Sequence, residues 1–269
     1  MEYIVEIIKY IIIGFVQGIT EILPISSSGH LIVFYKLLSI NEESQLNLTV
    51  FLHLSSSIAL CCFFKDILLN IIKGSLNFIK TRAQKEDFLL LLYVVISSVP
   101  IAVTGIFIKP FIEKTFNNSV ALSFGFFISS IILLLNKKLK LNNEKNYNIK
   151  NTLIVGLFQC ISVFPGISRS GITLFASKIS KLNSKDGRQF AFLLLVPISF
   201  GSSLISIIDV GNNVLNSHSN LLLYTISMIV SFIFTYLSLK FFFSKNIEKF
   251  YYHFTFYLLF LSYLTLTLL

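Results

Sequence analysis

Two ionisable side chains, Glu21 and Arg169, stand inside stretches otherwise apolar enough for a membrane interior. Charge at that depth is costly and persists where it has a partner or a task. Gln17 and Glu21 are four residues apart, which sets both on one helix face. After Pro24 follow Ser26, Ser27, Ser28, Gly29 and His30. Arg169 keeps similar company in Ser168, Ser170, Gly171 and Thr173, with Gln159 upstream. Hydroxyls, glycines that admit close backbone approach, and one Arg together suit a phosphate. The guanidinium offers a fork for two phosphate oxygens, and the N–H groups that open a helix add to it. Glu21 and His30 beside serines supply acid–base capacity. A hydroxyl nucleophile needs a base, and the base needs an orienting partner. Ser27, His30 and Glu21 fill those roles in order. The competing structural reading is a salt bridge between Glu21 and Arg169 that only ties the two segments together.

Other polar residues carry less. His53, His218 and His253 are expected to be ordinary hydrogen-bonded helix residues, because nothing convergent surrounds them in the sequence. Asp209 and Glu113 fall near helix ends, where solvation explains them. Cys61, Cys62 and Cys160 lie in apolar runs without metal-ligand or disulfide spacing. No Walker-type loop and no His/Cys/carboxylate cluster occurs. The net charge of +9 comes from Lys residues in short loops rather than a basic stripe interleaved with aromatics, which excludes nucleic acid as a partner.

The elements that must position these groups follow from hydropathy. Hydrophobic residues make up 54% of the chain and charged residues 13%, about half the roughly 25% of a soluble domain. Six uncharged stretches have the length of a span: Leu46 to Phe64, Phe88 to Ile108, Thr115 to Asn136, Phe190 to Ile208, Leu221 to Leu239 and Phe250 to Leu269. Residues 10–35 and 151–177 are broken instead, by Glu21, Pro24 and Ser-Ser-Ser-Gly, and by Pro165, Gly166 and Ser-Arg-Ser-Gly. Irregular backbone at membrane depth is tolerated only where protein or a wet cavity covers it. Both segments are therefore expected to be re-entrant helical hairpins. Glu2 and Glu6 stand where a signal peptide would be basic, so no processing is expected.

Lys73, Lys80, Arg82 and Lys85 form one expected loop group, and Lys137, Lys138, Lys140, Lys145 and Lys150 a second. Lys178, Lys181, Lys185 and Arg188 form a third, and Lys240, Lys245 and Lys249 a fourth. With these loops cytoplasmic, the six spans alternate correctly and both termini are extracytoplasmic. The two broken segments also match each other. Gly14 and Gly156, Gln17 and Gln159, Ile19 and Ile161, Ser26 and Ser168, Ser28 and Ser170, and Gly29 and Gly171 all differ by 142, with Pro24 and Pro165 one out of register. The expected fold is thus an all-α polytopic membrane protein, 1–269 as one integral domain. Residues 1–136 and 150–269 form an inverted-topology repeat with the site at its interface.

Gln17-Gly-Ile-Thr-Glu21, Pro24-Ile-Ser-Ser-Ser-Gly-His30 and Pro165-Gly-Ile-Ser-Arg-Ser-Gly-Ile-Thr173 together resemble the signature motifs of the bacterial undecaprenyl-diphosphate phosphatase family of the bacitracin-resistance type. The resemblance covers the whole chain. It implies hydrolysis of undecaprenyl diphosphate to the monophosphate carrier on the extracytoplasmic side of the cell inner membrane. It also implies a divalent cation, magnesium or calcium, with Glu21 the best single ligand, and admits a homodimer. Carried onto this chain, it points to Glu21, Ser27, His30 and Arg169. Gln17 occupies a position where many relatives have Glu, so Glu21 alone must carry any anionic role there. His30 as direct nucleophile, with Ser27 binding phosphate, is the rival mechanism. Two other classes are a flippase for a polyprenyl phosphate, since broken helices in inverted repeats are also the transporter plan, and a structural subunit.

Overall fold

The computed structural model describes residues 2–108, 111, 112, 115, 118–139, 147–214, 218–244 and 247–268. Glu113, Lys140, Lys145 and Lys245 lie outside the described residues, as do the side chains of Asp209 and His218. The described chain is helical with no strand element: α1 (Glu2–Thr20), α2 (Ser27–Leu37), α3 (Glu42–Phe63), α4 (Lys65–Thr81), α5 (Lys85–Phe107) and α6 (Ser119–Lys138). After these come α7 (Ile149–Gln159), a 3-10 turn (Cys160–Val163), α8 (Arg169–Ile179), α9 (Ser184–Val214), α10 (His218–Ser244) and α11 (Tyr251–Leu268).

Five described helices are long and apolar enough to cross a membrane, by length and composition: Tyr3–Thr20 in α1, Ser44–Phe63 in α3, α5, α6, and Leu221–Ser244 in α10. The protein is a multi-pass membrane protein. Four of the five match expected spans. The fifth, α1, is the first limb of a broken segment, yet it runs back to Glu2 as a 19-residue helix. The stretch Phe190 to Ile208 falls within α9, and most of Phe250 to Leu269 forms α11, but neither is among the five. In α11 four Tyr, three Thr and His253 dilute the Leu and Phe. One expected loop is a helix. Lys73 and Lys80 sit on α4, whose buried residues Ile71, Gly74 and Ser75 share a helical stripe that packs on α5.

Both broken segments end where proline demands it. At the end of α1 the last i→i−4 bond is Leu23 N–H to the Ile19 carbonyl at 3.4 Å, because Pro24 next in the chain has no N–H to continue the series. After the 3-10 turn, Pro165 leads into Gly166 at φ 81°, a backbone setting open to glycine. There Gly166 lies against the Leu122 carbonyl and Gly125 of α6.

Lipid gives helices no hydrophobic reason to associate, so close packing and interhelical hydrogen bonds must do it. α1 packs along α10 and α7 along α5, while α3 lies on α9 and α10, and α6 on α11. Gly14 in α1 sits against the Ser227 backbone and Gly156 in α7 against the Ser97 backbone, each where a Cβ would collide. Behind the first loop Ile22, Ile25, Phe126, Leu174, Phe192 and Leu195 form one buried cluster. Large apolar groups such as Phe107, Phe256 and Leu268 face outward.

Candidate functional site

The second limbs of the two broken segments, α2 and α8, begin alike. Ser26 caps α2 by accepting the Gly29 N–H at 3.3 Å, and Ser168 caps α8 by accepting the Gly171 N–H at 3.1 Å. Each cap serine also meets the hydroxyl two residues on, Ser28 at 3.5 Å and Ser170 at 3.2 Å. Gly29 and Gly171 thus spend their N–H groups on the caps. The N–H groups of Ser27, Ser28, Arg169 and Ser170 have no acceptor within their helices.

Both openings line one cavity of about 390 Å³ including its mouth. Its walls carry Thr20, Glu21, Ser26, Ser27, Ser28, Ser162, Ser168, Arg169 and Ser170, with His53, Ile167 and Leu195. The loops are joined across it: the Ser170 hydroxyl donates to the Leu23 carbonyl at 3.2 Å. On α6, Ser129 donates to the Gly166 carbonyl and receives the Ser168 N–H, both at 2.9 Å.

Glu21, 7% exposed, is the centre of the polar wall. Ser27 Oγ donates to its Oε2 at 2.5 Å and Gln17 Nε2 at 3.1 Å. His53 Nδ1 lies 3.6 Å from the same oxygen and 3.3 Å from Gln17 Nε2. Gln17 continues to Ser56 at 3.4 Å, which meets Ser231 and Thr235 of α10 at 3.2 Å each. Opposite, Arg169 donates from Nη1 to Ser199 at 3.1 Å, while its Nε is buried without a partner. Among the described residues no ion pair joins Arg169 to Glu21, so the purely structural bridge is not formed.

The expected order of Ser27, His30 and Glu21 is not formed either. Ser27 reaches Glu21 directly, and His30 is turned away. Its Nδ1 lies 2.7 Å from the Ser26 carbonyl and its Nε2 2.8 Å from the Tyr257 hydroxyl. The cause is local: on a helix beginning at Ser27, residue 30 falls back over the cap carbonyl, leaving residue 27 facing the loop. Thr173 bonds back to the Arg169 and Ser170 carbonyls, and Gln159 is fully buried with both amide atoms unpartnered. Neither is part of the cavity wall.

His53, Ser199 and Tyr257 were not expected here. For His53 a signal existed: it is a polar titratable residue within an uncharged span, the same criterion that singles out Glu21 and Arg169. Ser199 and Tyr257 reach the site only through tertiary contact.

Among the described residues no three or more His, Cys, Asp or Glu gather as a metal cluster. Magnesium, however, commonly keeps several waters and takes one or two carboxylates plus substrate phosphates. Glu21 is a wall carboxylate, and the neighbouring Gln17 Oε1 is a buried acceptor without a partner. This donor set fits a cation that arrives with a diphosphate.

A family model, bacitracin resistance protein BacA, matches residues 10–264. The chain is 33% identical over 272 residues to undecaprenyl-diphosphatase 1 of Bacillus cereus, covering all of both chains. It is 37% identical over 245 residues to undecaprenyl-diphosphatase of Thermosipho melanesiensis, covering 89% of this chain and 92% of the relative. The Acholeplasma laidlawii undecaprenyl-diphosphatase is 35% identical over 253 residues, covering 89% of each. With matches of this length, on a chain whose two serine-capped loops share one cavity, the protein belongs to the bacitracin resistance protein BacA family.

Proposed function

We propose that the chain hydrolyses undecaprenyl diphosphate to undecaprenyl phosphate and inorganic phosphate. This would recycle the lipid carrier for cell-wall polymers and confer bacitracin resistance. One observation carries the reading: the Ser27 hydroxyl donates to the buried Glu21 carboxylate, facing Arg169 and two open helix N-termini across one cavity.

In this reading Glu21 takes the Ser27 proton as Oγ attacks the terminal phosphorus. The bond from that phosphorus to the bridging oxygen breaks, and undecaprenyl phosphate leaves. Water then attacks the phosphoserine and releases phosphate. Arg169, Ser168, Ser170 and the free N–H groups of α2 and α8 hold the transferring oxygens and their growing charge. Gln17 and His53 fix the Glu21 carboxylate. Glu21 is also the group that would hold a divalent cation, which would supply charge neutralisation on the diphosphate. A nucleophilic His30 is disfavoured, because both ring nitrogens already have partners.

The finer topology belongs to the same proposal: six spans, two re-entrant hairpins, and an inverted repeat within a bacterial inner membrane, the cavity opening outward. It is supported by the reciprocal packing of α1 on α10 and α7 on α5, by the 142-residue offset and by the uneven placement of basic loops. The deciding assay is phosphate release from undecaprenyl diphosphate by purified protein in detergent, without compartments. Wild type should turn over and accumulate phosphoserine under quench, while Ser27→Ala should lose at least about 100-fold. No release from wild type would favour a flippase, and an acid-labile phosphohistidine would displace Ser27 in favour of His30.

A further inference from the structure

The hydroxyl of Tyr257 enters from α11, the last described helix, and nothing in the mechanism above uses it. We infer that Tyr257 is a positioning residue of the reaction: its hydroxyl holds His30, His30 holds the Ser26 carbonyl, and the Ser26 backbone keeps Ser27 turned to Glu21. This rests on the reading of Ser27 as nucleophile.

The chain of contacts is short and directional. A carbonyl oxygen only accepts, so at 2.7 Å from the Ser26 oxygen it is His30 Nδ1 that carries the hydrogen. In the neutral ring this leaves one lone pair, on Nε2, and the Tyr257 hydroxyl donates to it at 2.8 Å. The rings stack at 5.5 Å and 22°, and the Phe126 edge closes the other side at 5.6 Å. His30 is therefore 2% exposed and pinned in place and tautomer.

What it pins is unusual. Ser26 stands at φ 72° and ψ 93°, a setting that residues with a Cβ rarely adopt. Three contacts hold it there: the His30 ring, the His30 N–H at 3.2 Å to its carbonyl, and the Gly29 N–H to its hydroxyl. Ser27 comes next in the chain, so the Ser26 backbone aims its Oγ. The 2.5 Å reach to Glu21 depends on that aim.

Simple packing does not account for Tyr257. Its ring is 40% exposed, and the neighbouring outward aromatics Phe256 and Phe260, at 69% and 59%, need no hydroxyl. The Tyr257 oxygen points instead to the buried His30 Nε2.

The test is steady-state phosphate release from undecaprenyl diphosphate by purified full-length variants in detergent. Tyr257→Phe keeps the ring and removes the donor. We expect kcat to fall about tenfold with KM within about twofold, and the thermal midpoint to drop by only a few degrees with the protein still folded at assay temperature, since one buried acceptor is left unmet. Tyr257→Leu, which also loses the stack, should fall further. Phe256→Leu, facing outward on the same helix, should match wild type. Wild-type kcat in Tyr257→Phe would overturn the inference, as would a loss that tracks the folded fraction. Full turnover by Ser27→Ala would instead sink the nucleophile assignment itself, so the two failures are distinguishable.

Discussion

Around Pro24 the chain leaves a 19-residue helix, turns through residues 21–25 and opens a new helix under a Ser26 cap. Around Pro165 it leaves an 11-residue helix, turns, and opens another under a Ser168 cap. The backbone device is shared, and the side chains are not. Positions 21 and 163, 27 and 169, 53 and 195 each differ by 142 and pair Glu21 with Val163, Ser27 with Arg169, and His53 with Leu195. The first segment thus holds the acid–base groups and the second a cation. The helix ends contrast too. Lys36 closes α2 exposed, whereas Lys178 closes α8 half-buried, bonded to the Asn136 carbonyl at 2.9 Å and to Glu248 at 3.1 Å. The lesson is that two similarly capped loops bring two helix N-termini to one cavity, while their different side chains give it, in the proposed mechanism, one side that attacks and one that grips.

This division of labour can be broken from either side. Glu21→Gln takes away the acceptor of the Ser27 proton and should lower phosphate release about 100- to 10,000-fold, measured with the thermal midpoint to exclude unfolding. A loss under tenfold would show that the first segment does not hold the base. Arg169→Lys keeps the charge and removes the planar fork, so a fall of about 100-fold in kcat is expected. Retained turnover there would mean that charge alone suffices in the second segment.

The sharpest comparison is the smallest. Gln17 and Gln159 are the same residue at matched positions, both fully buried. Gln17 Nε2 lies within 3.1 to 3.4 Å of Glu21 Oε2, His53 Nδ1 and Ser56 Oγ, while Gln159 has no partner at either amide atom. Gln17→Met should cost about tenfold in kcat. Gln159→Met should leave kcat within about twofold and raise stability by about 1 kcal/mol, since it removes two unmet polar atoms. Equal effects would mean that the segments share the chemistry after all.

Much of the site could be seen before any coordinates. Glu21 and Arg169 stand out because ionisable groups are rare in apolar runs, and Pro24 and Pro165 mark the breaks by removing donors and restricting their neighbours. What escaped detection depends on distance across the chain. His53 lies on an unbroken helix, and only folding brings it 3.6 Å from Glu21. His30 is expected beside Ser27 because it directly follows the Ser-Ser-Ser-Gly run, but its partner Tyr257 is 227 positions away. The lysines of the 17-residue α4 read as a loop in the sequence and hide a helical stripe of Ile71, Gly74 and Ser75.

The contacts of Gly14 and Gly156 also set a schedule for biosynthesis. Gly156 leans on Ser97, which has already been made when α7 enters the membrane, so that pair can form partway through synthesis. Gly14 leans on Ser227, and α1 must wait for nearly the whole chain before it can dock. His30 waits longer still, for Tyr257. A ribosome that stops before α11 therefore leaves a partly inserted chain in which Glu21 keeps Gln17, Ser27 and His53 while His30 lacks its Tyr257 hydroxyl.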